Sequence, residues 1–157
     1  MRIIGLTWVW DGDLYGKLDL ESSVESTEYL FNGGFELGCD FWEYSPACPV
    51  TDQYVHTGQY SVMLYENWME QTLASAIVVE DIADFGLWYY SGKDSNYVTI
   101  KFTDNDDITV YFSNTGGTWN YLDLTGTLPA GKHVSGIYLR GSAVGPTWVD
   151  DVVLNPV

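Results

Sequence analysis

From residue 59 onward the chain is a succession of short runs in which apolar and polar residues alternate, interrupted by Gly, Asn and Asp. A strand sends successive side chains to opposite faces, so a two-residue period marks a half-buried strand. The runs predict strands at Gln59–Tyr65, Trp68–Val79, Ala83–Tyr90, Tyr97–Thr103, Ile108–Phe112, Trp119–Leu124, Val134–Arg140 and Thr147–Leu154. Thr103-Asp104-Asn105-Asp106-Asp107 and Thr115-Gly116-Gly117-Thr118 are turn sequences between them. No stretch keeps a helical period. Together these features predict an all-β fold, an antiparallel jelly-roll β-sandwich.

The strand parities assign faces. Val62 and Leu64 oppose Ser61 and Met63. Phe85, Leu87 and Tyr89 oppose Trp88 and Tyr90. Val98, Ile100 and Phe102 point inward, and Tyr97, Thr99 and Lys101 outward. The same reasoning places Tyr111, Tyr138 and Arg140 on faces turned away from the core, with Thr109 among them.

Ahead of these strands lies a separate region. Arg2 to Trp10 alternates, with Ile4, Leu6, Trp8 and Trp10 on one face. An acidic connector follows, Asp11 to Tyr29. The chain therefore divides into residues 1–29, a strand and connector, and residues 30–157, the main domain. A hydrophobic strand on an acidic tether suits either completion of the domain's own sheet or an assembly arm that adds to a neighbour's sheet edge.

Composition narrows the partners. Twenty-two acidic residues against six basic ones give a net charge of −16. Such a surface repels phosphate backbones and anionic membranes, which argues against nucleic acid and membrane association. No apolar run is long enough to span a bilayer, and the N-terminus lacks a signal-peptide pattern. The chain holds 7 Trp, 12 Tyr and 6 Phe, an aromatic load that suits flat contact surfaces. Cys39 and Cys48 are close enough to form a disulfide around Trp42, and His56 and His133 lack zinc-ligand spacing. Catalytic motifs are missing: there is no nucleophile elbow, metalloprotease helix or phosphate loop, and abundant carboxylates make no particular pair stand out. The chain reads as a non-enzyme.

One stretch ties the main domain together. Asn32-Gly33-Gly34-Phe35-Glu36-Leu37-Gly38 surrounds one aromatic and one carboxylate with glycines. Phe35 reads as a buried anchor. It is followed by Trp42, by Thr57-Gly58-Gln59-Tyr60-Ser61, by Gln71, by Leu87-Trp88-Tyr89-Tyr90 and by Trp148-Val149-Asp150-Asp151-Val152-Val153-Leu154. In this order the set resembles the jelly-roll carbohydrate-binding modules of families 4, 9, 16 and 22, over about residues 30–157. The resemblance implies a structural calcium held by Glu36 and Asp150, with Asp151 and the backbone at Gly34 and Gly58 as helpers. Hard cations take carboxylate and carbonyl oxygens, which agrees. Parity with Val152 and Leu154 places Asp150 on the core side, where a carboxylate needs a partner. The resemblance also implies sugar stacking on an aromatic face, for which Trp88, Tyr90, Tyr97, Tyr111, Tyr138 and Arg140 are the candidates. The same face equally suits burial against a neighbouring subunit.

Two functions follow. The first is a non-catalytic structural or decorating protein of a virion or extracellular filament, with glycan-binding ability and with other copies of itself as partners. The alternative is a free-standing module that recognises a glycan through its aromatic face. Either is expected outside the cell or on a virion surface.

Overall fold

The computed structural model describes residues 29–157. The candidate arm residues Ile4, Leu6, Trp8 and Trp10 lie outside them. The strands are β1 (Glu43–Ser45), β2 (Val50–Thr51), β3 (Ser61–Leu64), β4 (Trp68–Val78), β5 (Ile82–Ser91), β6 (Tyr97–Phe102), β7 (Ile108–Tyr111), β8 (Asn120–Asp123), β9 (His133–Arg140) and β10 (Thr147–Pro156). They form two five-stranded antiparallel sheets, ordered β1-β4-β9-β6-β7 and β2-β3-β10-β5-β8. We call these the first and second sheet. They stack as a sandwich, the predicted fold.

Apolar residues on the inner faces fill the space between the sheets. Met69, Val98, Ile100, Ile137 and Leu139 come from the first sheet, and Val62, Leu64, Phe85, Leu87, Val149 and Leu154 from the second. Each is almost wholly removed from water, and full burial of such a side chain contributes roughly 1.5–3 kcal/mol. β1 and β2 were missed by sequence. Each is an edge strand of two or three residues, too short to show a period.

The glycine stretch enters beside β10. Gly33 accepts the Val152 amide at 3.0 Å, and a Cβ at Gly33 would overlap the Val152 carbonyl. Only a residue without a side chain allows that approach. Phe35 is fully buried, as expected, and packs on Trp42 with ring centroids 5.4 Å apart. Gln71, buried in β4, clamps the incoming chain: its side-chain amide donates to the Phe31 carbonyl, and its oxygen accepts the Phe31 N–H, both at 2.8 Å. Cys39 and Cys48 are bonded, closing the loop that carries Trp42.

One parity argument fails. Pairing runs in step from Thr147 to Asp150, which lies opposite Trp88, and resumes with Val153 opposite Gly86. The register shift is a β-bulge at Asp151, whose φ is +46°. A bulge adds a residue and reverses the side-chain alternation. Asp150 therefore shares the outer face with Trp88 rather than the core face with Val152. It is nonetheless fully buried, because the loop between β2 and β3 covers it.

Candidate functional site

The six residues expected to form one aromatic face lie on two. Tyr97, Tyr111, Tyr138 and Arg140 stand on the outer face of the first sheet, while Trp88 and Tyr90 stand on the outer face of the second. Outward parity does not say which sheet a strand joins, so sequence could not separate them.

The second-sheet pair is half-buried, as Trp68 and Tyr138 on the first sheet are, but rings of a loop stack on it. His56 stacks on Trp88 at 4.0 Å and 15°, and Tyr54 stacks on Tyr90 at 4.9 Å. Tyr54 also packs on Trp148, and Trp119 reaches both His56 and Tyr90. A stacked ring that already has a partner cannot offer that face to a ligand. Trp88 and Tyr90 thus serve as the floor under the loop between β2 and β3.

That loop is held by carboxylates. Asp150 Oδ2 accepts the backbone N–H groups of His56 (2.9 Å) and Thr57 (3.2 Å), and Oδ1 accepts its neighbour Asp151 N–H (2.8 Å). Glu36 Oε1 accepts the N–H groups of Gln59 (2.8 Å) and Tyr60 (3.0 Å). Asp151 pairs with His56 Nδ1 at 2.7 Å and accepts the Thr57 hydroxyl. Gly58, at φ +70°, turns the backbone up against the Glu36 carboxylate. Glu36 and Asp150 therefore grip one turn from two sides. Burial pushes the Asp150 carboxyl up to about 6, against the lowering effect of its amide donors.

A hard cation takes oxygen ligands, and these carboxylates keep part of their accepting capacity. A carboxylate offers about four lone-pair sites. Glu36 uses only Oε1 on the turn, which leaves Oε2 without an amide donor among the described residues, and Asp150 accepts three amides. Among the described residues no three His, Cys, Asp or Glu side chains gather as a metal cluster, so backbone oxygens would have to complete the shell.

The first-sheet face is different. β4, β9, β6 and β7 place Trp68, Arg140, Tyr97 and Tyr111 in one row across the strands. The next row is Glu70, Tyr138, Thr99 and Thr109. Trp68 and Tyr138 lie nearly parallel, their centroids 5.9 Å apart at 27°. Lys101 bridges to Glu70 at 2.8 Å and lies 5.5 Å from the Tyr138 centroid. Its hydrogen bond to Glu70 raises the lysine pKa, with desolvation opposing. Tyr97 and Tyr111 pair at 5.3 Å, and the Thr99 and Thr109 hydroxyls meet at 2.9 Å. Trp68, Tyr97, Tyr138 and Arg140 are half-buried, and Tyr111 is 62% exposed. Among the described residues no loop stacks a ring on Trp68 or Tyr138 other than each other. Flat rings ringed by hydroxyl, cationic and carboxylate groups can hold a ligand with an apolar face and polar edges.

Trp68 and Glu70 were absent from the expected set. Their signal was present: Trp68, Glu70 and Thr72 alternate with Met69, Gln71 and Leu73. Gln71, a buried polar residue in the inward register, obscures the pattern.

No protein-family model matches the chain, and no curated protein sequence matches it. Solved structures do. TmCBM61, solved in complex with β-1,4-galactotriose, is 22% identical with a TM-score of 0.57, over 84% of this chain and 100% of that one. A family 16 carbohydrate-binding module is 17% identical with a TM-score of 0.55, over 81% and 99%. The enzymatically active domain of bacteriophage CBA120 tailspike protein 4 is 16% identical with a TM-score of 0.62, over 83% of this chain but 22% of that one. At these identities the likeness is one of fold. No helix among the described residues is long and apolar enough to cross a membrane, and the Cys39–Cys48 disulfide suits an oxidising, extracellular environment. Residues 29–157 form a jelly-roll β-sandwich, the fold that these carbohydrate-binding modules also have.

Proposed function

We propose that this protein is a non-catalytic glycan-binding module whose ligand lies across the outer face of the first sheet. The observation that carries the reading is the half-buried Trp68–Tyr138 pair, on which no loop ring stacks among the described residues, flanked by Arg140, Lys101 and Glu70. Pyranose rings have an apolar C–H side that aromatic faces accept, with hydroxyls left for the polar rim. The similarity in fold to TmCBM61, itself in complex with β-1,4-galactotriose, supports the class of ligand. A glycan array probed with wild type and with Trp68→Ala tests it. The expected result is a defined set of glycans retained by wild type and lost by the variant. An array with no retained glycan sinks the reading.

A second reading is a structural or decorating part of a virion or extracellular filament, with other copies as partners. The match to part of a phage tailspike supports it. Sedimentation of the full chain tests this: a symmetric oligomer is expected, and a monomer at micromolar concentration contradicts it.

We also propose a structural calcium at the turn. Glu36 and Asp150 would hold it, with backbone at Gly34 and Gly58, while Asp151 is engaged by His56 and Thr57. The ion would supply positive charge beside a buried carboxylate. Removing calcium with EDTA should lower the melting temperature, and adding it back should restore the loss. A melting curve unmoved by EDTA contradicts the site.

A further inference from the structure

Among the described residues the basic side chains are Lys93, Lys101, Lys132 and Arg140. Lys101 is paired with Glu70, and Lys132 with Asp104 and Asp106. Arg140 makes no ion pair and no side-chain hydrogen bond among the described residues, in a chain with 22 acidic residues. It also stands where a partner is most needed. In register it lies between Trp68 on β4 and Tyr97 on β6, half-buried in the same row. Adjacent strands are about 4.8 Å apart, so the rings on either side take away part of the guanidinium's water. Lys93, also without an ion pair, lies instead beside Gly145 at the loop before β10.

We infer that the glycan recognised on this face carries an acidic group, a carboxylate such as that of a uronic acid, which Arg140 engages while the sugar ring lies on Trp68 and Tyr138. This rests on the glycan-binding reading above and names its substrate class. The guanidinium is a planar fork of donors that matches a carboxylate with two parallel bonds. A neutral hydroxyl answers only part of it, and a hydrogen bond to a charged acceptor is the stronger one. The chain's net charge of −16 opposes an anion at long range. At physiological ionic strength, however, charges beyond about 8 Å are largely screened, so the contact group decides. Of the carboxylates on the face, Glu70 is matched by Lys101, and Glu43, opposite Glu70 on the edge strand β1, lies two strands from Arg140.

The test is an array of uronic-acid oligosaccharides, each printed beside its methyl ester, at physiological salt. The ester keeps the ring and the carbonyl, removes the charge and adds one methyl group. Wild type should prefer acid over ester by about tenfold, the worth of one charge-assisted bond. Arg140→Gln should bring that ratio to about one, and Arg140→Lys should restore part of it, because lysine keeps the charge but not the fork. Thermal melts confirm that both variants fold. Equal retention of acids and esters by wild type overturns the inference and leaves glycan binding standing. Retention of acids that Arg140→Gln does not alter overturns the assignment to Arg140. Binding to no sugar of either kind, here and on the general array, overturns both.

Discussion

Asp150→Ala should destabilise the protein by about 3 kcal/mol and free the turn at residues 56–60, measured by urea denaturation in EDTA so that no cation contributes. The reason is the hydrogen-bond arrangement. Three backbone N–H groups, from His56, Thr57 and Asp151, end on this one buried carboxylate. Without it they lose their acceptor under a loop that keeps water out, and each such loss costs about 1–3 kcal/mol. Removing a buried charge returns part of this, which keeps the total near a single such term. The Trp88 and Tyr90 floor should then become more exposed, visible as a red shift of tryptophan emission. A change under about 0.5 kcal/mol, the range of an ordinary surface substitution, contradicts this role.

The same residue predicts a pH dependence in metal-free buffer. Its carboxyl titrates near 6 in the folded protein and at an ordinary carboxylate value when unfolded. Below about 4 both states are protonated and no penalty arises. Between about 4 and 6 the folded state holds a proton that the unfolded state has released, so this group's contribution to stability falls as pH rises. Above about 6 the loss is complete and constant. Asp150→Asn keeps one acceptor oxygen and should flatten that part of the profile.

Trp68→Ala should weaken glycan binding by about thirtyfold, the effect of losing a hot-spot side chain worth about 2 kcal/mol. Trp68 contributes the larger ring of the pair and stands in the row that runs from Ser45 on the edge strand through Arg140 and Tyr97 to Tyr111. Its replacement removes the stacking surface and leaves the polar rim without a floor. Its effect on stability should be small, because the ring lies outside the core. Trp88→Ala should do the reverse. It takes away the surface on which His56 stacks at 4.0 Å, loosening the turn while leaving the first-sheet face intact.

How much of this was legible in the sequence follows from what each signal reports. Period-two alternation is local, so the long strands at Trp68, Ile82 and Thr147 could be read to within a few residues. Phe35 among its glycines was legible as an anchor because a bulky apolar residue inside a turn has few other roles. The partner of each strand is not local information, and this is why Trp88 and Tyr90 were grouped with residues of the opposite sheet. The bulge at Asp151 was illegible for a different reason: one inserted residue reverses the parity without changing the composition of the strand. Asp150 was expected to be buried and is, but beneath a loop rather than in the core. His56 was set aside because it lacked zinc spacing, whereas its work is to stack on Trp88 and pair with Asp151.

The most direct measurement is a calorimetric titration of one array-selected glycan into wild type, Trp68→Ala and Trp88→Ala, each held well below its melting temperature. If the ligand lies on the first sheet, Trp68→Ala binds about thirtyfold more weakly, and Trp88→Ala binds within about threefold of wild type. A glycan that binds Trp68→Ala as tightly as wild type, and loses its affinity for Trp88→Ala, contradicts the account and moves the site to the opposite face.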